Sequence, residues 1–257
     1  MMIFYYTSTG NSLYVAKQLG DEKLISIPQA LKEDNLIYED EVIGIVCPDY
    51  AAELPQSVRR FLEKATLKAK YMYALITYGA LDSIVADWTY NFASQNGIHL
   101  DYVNTILMVD NWLPSFDMLS EMEIDKHIPE QIVTIKEDLQ NRKQFVKGYT
   151  EEGKAAWEHV RLRNKENPEW INGSALHCDT SKCIGCGICT KVCPVGRNIL
   201  KDGKRAEMRN TCDFCLGCIH ACPKNAFYLT INDKNKEARY RNPNINIKEI
   251  MEANHQN

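Results

Sequence analysis

The sequence lacks long apolar runs, an excess of basic residues and a secretion signal. Its apolar runs, such as residues 42–47, are far shorter than the roughly 18 residues that a membrane-spanning helix requires. Thirty Lys and Arg residues against 34 Asp and Glu residues give a formal charge of −4, which argues against a nucleic-acid-binding protein. The N-terminus carries neither basic residues nor a small-residue cleavage site, so we expect a cytoplasmic protein that does not associate with a membrane.

Cysteine is scarce over most of the chain and concentrated in one segment. Of the ten cysteines, Cys47 stands alone and the other nine lie between residues 178 and 222. In a reducing cytoplasm, clustered cysteines more often bind metal or carry out redox chemistry than form disulfides. Cys47 ends an apolar run, and we interpret it as inert packing. The 257 residues, 45% hydrophobic and 25% charged, indicate one large folded domain or two modest ones rather than disorder.

The first 150 residues predict alternating strands and helices. Apolar runs predict five strands, at residues 2–6, 23–27, 41–47, 71–78 and 102–109. Between them, apolar residues at helical spacing predict helices, including one with Ile84, Trp88 and Phe92 on a common face. Strands that alternate with helices indicate an α/β fold, with a doubly wound parallel sheet covered on both faces.

A turn rich in hydroxyl groups follows the first predicted strand. It consists of Thr7, Ser8, Thr9, Gly10, Asn11 and Ser12. At the carboxyl edge of a parallel sheet, the N–H groups of a helix N-terminus together with these hydroxyls can bind a phosphate monoester without lysine or metal. The alternative is a helix capped by its own Ser or Thr side chain. One such residue is enough for capping, and hydroxyls occupy four of the six positions, so we favour the phosphate site.

This turn resembles the phosphate loop of flavodoxins, whose pattern is Thr/Ser-x-Thr-Gly-Asn/Thr-Thr/Ser, at all six positions. The resemblance implies a five-stranded sheet in the order 2-1-3-4-5, with the phosphate of FMN surrounded by residues 7–12. It also implies that the loops after the third and fourth strands hold the isoalloxazine ring. These ring loops begin at Pro48 and Thr77, which makes Tyr50 and Tyr78 (followed by Gly79) the candidate stacking residues. Trp112, after the fifth strand, is a reserve candidate.

The segment that follows predicts a joint between two domains. Residues 151–167 are highly charged, and we interpret them as a solvated linker helix, although the helix could instead brace the two domains. Pro168, Asn172 and Gly173 mark a break. The predicted organisation is an FMN-binding domain at 1–150, a helical linker at 151–173 and a small α+β cysteine-rich domain at 174–257. The polar tail of the last domain carries no chemistry that we identify.

The cysteine-rich segment contains the motif C-x2-C-x2-C-x3-C twice, followed by Pro194 and Pro223. Three cysteines two residues apart can wrap three corners of a cubic cluster, and the fourth reaches the other cluster. One 4Fe-4S cluster is therefore predicted on Cys183, Cys186, Cys189 and Cys222, and the second on Cys212, Cys215, Cys218 and Cys193. His177 and Cys178 lie outside the motif, and we do not assign them as ligands.

Zinc is the alternative metal, but structural zinc sites usually pair two C-x2-C elements across a longer gap. The segment instead resembles bacterial two-cluster ferredoxins throughout, including its Cys-Pro-Lys-Asn-Ala ending. Residues 174–228 contain eight Lys or Arg and four Asp or Glu, so they carry +4 while the remaining residues carry −8. This basic surround would partly offset the negative charge of thiolate-bound clusters.

The whole chain resembles the flavodoxin–ferredoxin fusion proteins of anaerobic bacteria and archaea. This resemblance implies an electron carrier of oxygen-poor cells that relays electrons between two 4Fe-4S clusters and FMN for a partner redox enzyme. One alternative is an FMN-dependent reductase of a small organic substrate, with Asp49, Tyr78, Asp110 and Trp112 lining its pocket. A second alternative is a ferredoxin with a flavin-free docking domain, because residues 51–54 depart from the flavodoxin pattern.

Overall fold

The computed structural model describes residues 1–20, 23–208 and 211–256 of the chain. Its strands are β1 Met2–Tyr5, β2 Leu24–Ser26, β3 Ile37–Glu39, β4 Val42–Pro48, β5 Thr66–Lys68, β6 Tyr71–Tyr78, β7 Tyr102–Leu107, β8 Phe145–Val146, β9 Leu176–Cys178, β10 Asn198–Lys201, β11 Lys204–Met208 and β12 Phe227–Leu229. Its helices are α1 Asn11–Leu19, α2 Ile27–Ala30, α3 Gln56–Lys64, α4 Val85–Gln95, α5 Met118–Glu123, α6 Ile128–Gln140, α7 Glu151–Glu166, α8 Ile188–Lys191, α9 Gly217–Ala221 and α10 Ile247–Asn254. A single 3-10 turn, Pro168–Trp170, follows α7.

Six of the strands form one parallel sheet in the order β2-β1-β4-β6-β7-β8. The α/β class with a parallel central sheet is therefore confirmed. The sheet has six strands rather than the expected five, because the two-residue strand β8 pairs with β7 at the edge. The short strands β3 and β5, which the sequence analysis did not predict, pair with each other outside this sheet.

The two faces of the sheet bury different helices, as alternating side chains of a strand require. Ile3 and Tyr5 of β1 face one core, to which α1 and α6 contribute apolar residues. Phe4 and Tyr6 face the other core, which α3 and α4 cover. The sheet is thus doubly wound, and its carboxyl edge is left open between the helix layers.

Helix α4 buries mainly a different set of residues from its predicted aromatic face. Ile84, Trp88 and Phe92 were predicted on a common face; the Trp88 and Phe92 rings stack on each other with centroids 4.9 Å apart, but both are only half-buried. The buried residues of the helix are Val85, Ala86, Thr89 and Ala93. Small residues lie against the sheet because they allow the helix to approach it closely, which the aromatic spacing alone did not indicate.

The cysteine-rich segment shares its core with the sheet. Leu216, Ile219 and Phe227 belong to the same buried cluster as Ile3 and Val15. This segment adds two small antiparallel pairs, β9 with β12 and β10 with β11. In the described part of the chain, no helix is long and apolar enough to cross a membrane.

Candidate functional site

A cavity of about 570 Å³ lies at the carboxyl edge of the sheet, and its volume is typical of small-molecule sites. Its walls contain most residues that the sequence assigned to FMN, namely Thr7, Ser8, Thr9, Asn11, Ser12, Pro48, Tyr50, Thr77, Tyr78 and Gly79. Gly10 is the one member of the predicted set that does not line the cavity. The phosphate loop (residues 7–12) and both ring loops therefore meet at one site.

Helix α1 begins at the phosphate loop without a side-chain cap. Its N-cap residue is Gly10, at φ +106°, which makes no side-chain cap. The Thr7 hydroxyl accepts the Gly10 N–H at 3.1 Å. The self-capping alternative is therefore met only in part, by a Thr side chain that engages a single N–H before the first turn. The first turn of a helix carries N–H groups without intrahelical acceptors, and here they lie in the wall of a cavity, where they suit an anion.

The side chains of the phosphate loop are largely engaged within the protein. Ser12 and Thr77 share a hydrogen bond between their hydroxyl oxygens at 2.9 Å. The Thr9 hydroxyl accepts the side-chain amide of Asn111 at 2.8 Å. The Asn11 amide donates to a backbone carbonyl just after β7 at 3.0 Å. These bonds hold the loop in one conformation, so backbone N–H groups are the main donors that it can offer to an anion.

The C-terminal tail (residues 230–256) braces the phosphate loop from behind. Four hydrogen bonds make this contact: Tyr240 Oη to Asn11 Oδ1 at 2.7 Å, Asn242 Nδ2 to Asn11 Oδ1 at 3.1 Å, Asn242 N to Thr9 O at 2.8 Å and Asn254 Nδ2 to Thr7 O at 2.8 Å. A Cβ on Gly10 would lie only 3.0 Å from the Cβ of Asn242. The tail, in which the sequence analysis identified no function, therefore positions the loop.

The ring loops place Tyr50 and Tyr78 on the cavity wall. The Tyr50 ring is edge-on to Tyr6, with centroids 6.2 Å apart, and burial raises its pKa. The Lys147 ammonium lies 5.7 Å from the centroid of the Tyr78 ring. Gly79 is required by close packing, because a Cβ there would overlap the Asp110 carboxylate.

Two carboxyl groups of the cavity wall favour their protonated forms. Burial raises the pKa of Asp49 well above its usual range, although the Ala52 N–H donates to its Oδ1 at 2.6 Å. Burial also raises the pKa of Asp110 to about 6, and the Trp112 N–H donates to its Oδ1 at 2.8 Å. The cavity thus contains two acids that could hold a proton under mildly acidic conditions.

We expect Asp110 to make stability depend on pH. Its folded pKa of about 6 exceeds the ordinary value of 3.8, so its contribution is full below pH 3.8 and is lost as pH rises through 6. Between pH 5 and pH 7 the loss is about 1 kcal/mol. Asp110→Asn keeps an acceptor for Trp112 and should lack this loss, as anaerobic urea unfolding at the two pH values would show.

The control for this experiment is Asp87→Asn, on α4 outside the cavity wall. It should follow the pH dependence of the unaltered protein. An identical pH dependence in Asp110→Asn and the unaltered protein would contradict the assignment of that proton to Asp110.

The first predicted cluster site is a small cavity enclosed by cysteines. Its walls include all four predicted ligands, Cys183, Cys186, Cys189 and Cys222. The Ala226 N–H donates to Cys222 Sγ at 3.3 Å. Cys178, which the sequence analysis left outside the ligand set, lines the same cavity because β9 pairs with β12 beside it.

The second predicted cluster site brings together the other four cysteines. Burial raises the pKa of the Cys215 thiol well above its usual value, and the neighbouring Cys193, Cys212 and Cys218 raise it further. Backbone N–H groups donate to two of the sulfurs, from Arg197 to Cys193 at 3.2 Å and from Phe214 to Cys212 at 3.3 Å. Such N–H···S bonds are typical of the surroundings of iron–sulfur clusters.

The donor sets fit 4Fe-4S clusters. Four neighbouring thiolates repel one another, so each group requires a cationic centre among its sulfurs. A single zinc ion needs its ligands about 2.3 Å from one point, whereas a cluster spreads its thiolates over separate irons. Among the described residues, no three His, Cys, Asp or Glu side chains are placed to hold a single ion, and the cysteines surround a space instead.

The second predicted cluster site borders the cavity of about 570 Å³ at the carboxyl edge of the sheet, which we call the flavin-sized cavity. Cys215 and Leu216 line that cavity directly. The Tyr6 hydroxyl donates to Asp213 Oδ2 at 3.0 Å, and a Cβ on Gly217 would lie 3.4 Å from the Ser8 carbonyl oxygen. The segment of the second predicted cluster site therefore packs onto the phosphate loop.

His220 of α9 links the segment of the second predicted cluster site to the segment that follows β7. The Tyr240 N–H donates to its Nδ1 at 3.0 Å, so the ring proton is on Nε2, which donates to the Asn111 carbonyl at 2.9 Å. Burial lowers the pKa of His220 to about 4, so the ring is neutral at physiological pH. This histidine is a fixed structural link between the two parts of the site.

Helix α7 lines the outer side of the cavity with one face, although most of its residues are exposed, as expected of a solvated helix. Ala156, Trp157 and Val160 line the cavity. The buried indole N–H of Trp157 has no acceptor among the described residues. The Arg163 guanidinium lies 4.7 Å from the centroid of the Trp170 ring, just past the helix. The sequence signal for this contact was the pair of tryptophans, Trp157 and Trp170, in an otherwise charged segment.

Comparison with known proteins identifies the cysteine-rich segment. A family model described as a 4Fe-4S dicluster domain matches residues 182–227, which contain all eight predicted ligands. An uncharacterised ferredoxin of Methanocaldococcus jannaschii is 37% identical over 71 residues, 25% of this chain and 88% of that ferredoxin. The NAD(P)H-quinone oxidoreductase subunit I of Gloeobacter violaceus is 29% identical over 66 residues, and the match spans 21% of this chain and 32% of that subunit.

Proposed function

Because the chain belongs to the ferredoxin family of iron–sulfur electron-transfer proteins, through a dicluster 4Fe-4S domain, we propose that it also holds FMN and relays electrons between the clusters and this flavin. The recipient or donor is a separate redox protein, such as a ferredoxin-dependent or flavin-dependent enzyme. One relative is a subunit of an oxidoreductase, which supports a carrier that serves a partner.

One observation carries the proposal: a single cavity is lined by the phosphate loop, by both ring loops and by Cys215 of the second cluster site. A flavin in this cavity would lie beside a cluster ligand without any movement of the chain. The flavodoxin-like pattern of residues 7–12 and the uncapped N-terminus of α1 support FMN as the occupant.

Different parts of the cavity wall would contact different parts of FMN. The first turn of α1 would bind the phosphate through backbone N–H groups, and Tyr50 and Tyr78 would flank the ring. Helix α7 would exclude water from the outer side. FMN can exchange one or two electrons, whereas each cluster carries one, so their combination links single-electron carriers to two-electron chemistry.

A second candidate function is an FMN-dependent reductase of a small organic substrate. The two protonatable carboxyl groups in the cavity wall, Asp49 and Asp110, favour it, because a reduced organic product often requires a proton. Turnover of a panel of small molecules with a chemical reductant would separate this enzyme from a relay.

The proposal is tested by anaerobic purification, with extraction of flavin and iron analysis. We expect about one FMN and about eight irons per chain. Ser12→Ala removes the hydrogen bond that joins the phosphate loop to Thr77 of a ring loop, and it should weaken FMN binding roughly 10-fold or more without loss of iron. Ser57→Ala, at a fully buried serine of α3 outside the cavity, is the matched control and should retain FMN. Full iron content with no flavin would instead support a flavin-free docking domain.

A further inference from the structure

The first cluster site reaches the surface, and none of the residues that line it also lines the flavin-sized cavity. Cys186 is the one exposed cysteine among the predicted ligands, whereas Cys193 and Cys218 of the second site are buried. Ile184 is 59% exposed and Leu200 is 39% exposed, and both line the cavity of the first site. Apolar side chains that stay exposed next to a redox centre are typical of an interaction surface.

Exposed lysines surround these apolar residues. Gly185 packs against the β10–β11 turn so closely that a Cβ there would overlap the Gly203 carbonyl oxygen. This contact brings Lys201 and Lys204, at the two sides of the turn, next to the first cluster site. The complete cluster face consists of Ile184, Cys186 and Leu200 with the lysines Lys182, Lys201, Lys204 and Lys224 around them.

The charge of this face is not neutralised within the chain. None of its four lysines forms an ion pair with another described residue. Asp179, Asp202 and Glu207 are the acidic residues nearby in sequence, and Asp179 interacts electrostatically with Lys182. Three acids against four lysines leave the face net positive. Residues 174–228 carry +4 against −8 for the remaining chain, although Arg209, which counts toward the +4, lies outside the described residues.

We propose that the cluster face docks an electron-transfer protein whose own redox centre is surrounded by acidic residues. This inference rests on the proposed assignment of the first cluster to Cys183, Cys186, Cys189 and Cys222. A basic rim around an apolar centre attracts such a partner at long range and then excludes water at contact. Electrons would pass to the first cluster, then to the second, which borders the flavin-sized cavity.

The test is the rate of reduction by a defined acidic donor. A purified, reduced two-cluster ferredoxin of strongly negative net charge is mixed anaerobically with the oxidised holoprotein in a stopped-flow instrument. Lys182→Glu/Lys204→Glu should lower the second-order rate constant about 10-fold or more at low salt, and high salt should remove most of the difference. Lys201→Glu/Lys224→Glu provides a second variant if the first loses iron.

The matched control is Lys136→Glu/Lys248→Glu, which makes the same charge change at exposed lysines of α6 and α10. It should react with the ferredoxin nearly as fast as the unaltered protein. Equal rates for the control and the cluster-face variants at low salt would overturn the docking proposal. So would a dimer that dissociates only in the cluster-face variants, because the occupant would then be a second copy of this chain.

Reduction by dithionite, a small chemical reductant, distinguishes failure of the docking proposal from failure of the proposed relay function. If dithionite reduces the clusters and flavin of every variant while the ferredoxin reacts slowly with the cluster-face variants only, the docking face is supported. If the holoprotein lacks clusters or flavin, the proposed function fails independently of the docking face.

Discussion

Replacing Cys215 by serine is expected to slow reduction of the bound flavin by more than about 100-fold, because even loss of groups around the ligands of a metal site costs 10- to 100-fold. Cys215 lies in the second predicted ligand set and in the wall of the flavin-sized cavity. The variant should keep about four of eight irons, in the first cluster. Anaerobic rapid mixing, iron analysis and electron paramagnetic resonance would measure these effects.

Cys47→Ala is the control, since Cys47 is a fully buried cysteine of β4 outside both ligand sets. It should retain about eight irons and normal flavin reduction. If Cys215→Ser does not fold, Cys212→Ser removes a ligand of the same cluster and carries the same expectation. Flavin reduction at the normal rate with the second cluster missing would show that electrons bypass it.

Replacing Arg197 by methionine is expected to lower the reduction potential of the second cluster. Arg197 is only 7% exposed, and its Nε and Nη1 have no hydrogen-bond partner within the described parts of the chain. Its guanidinium lies against the Cys212 thiol, where burial raises the pKa and the Arg197 charge opposes that rise. Gly173 permits this approach, because a Cβ there would overlap Arg197 Nη1.

The potential is expected to fall in Arg197→Met because reduction adds a negative charge to the cluster, and the variant lacks the positive charge that stabilises it. A buried guanidinium with two free N–H groups beside the sulfur ligands stabilises the more negative, reduced cluster. A hydrogen bond to a charged group contributes about 1.5–3 kcal/mol, which corresponds to roughly 60–130 mV for one electron. Arg197 should therefore raise the potential of the second cluster, which favours electron flow toward the cavity.

The potential is measured by anaerobic titration with electron paramagnetic resonance. The control is Lys191→Met, which removes an exposed positive charge of α8 in the same segment and should shift the potential much less, because water screens exposed charges. An unchanged or raised potential in Arg197→Met would contradict the role of this arginine.

The sequence predicted the features that depend on local pattern. The repeated cysteine spacing indicated a dicluster ferredoxin domain, which the family match confirms. The apolar runs located the main parallel strands within one or two residues, because buried strands have little freedom in composition. The cavity is also lined by almost every residue that the phosphate-loop and ring-loop patterns selected, although the role of these residues toward FMN stays a prediction.

The features that depend on contacts between distant segments could not be predicted. Tyr240 and Asn242 brace the phosphate loop from more than 200 residues away in the chain, and nothing in their own neighbourhood signals that contact. From its sequence, helix α7 is predicted to be solvated, because its charged residues outnumber its apolar residues. In the structure, its Trp157 side chain nevertheless lines the cavity. The burial of Arg197 likewise follows from packing against Gly173, which a charge count does not reveal.

The most direct test of the account follows cluster and flavin absorbance after anaerobic mixing of the holoprotein with a fast reductant, over a range of protein concentrations. We expect bleaching of the clusters to be followed by flavin reduction with a rate constant independent of protein concentration, because both centres belong to one chain. Flavin that stays oxidised while the clusters bleach, or that is reduced at a rate proportional to protein concentration, would contradict it.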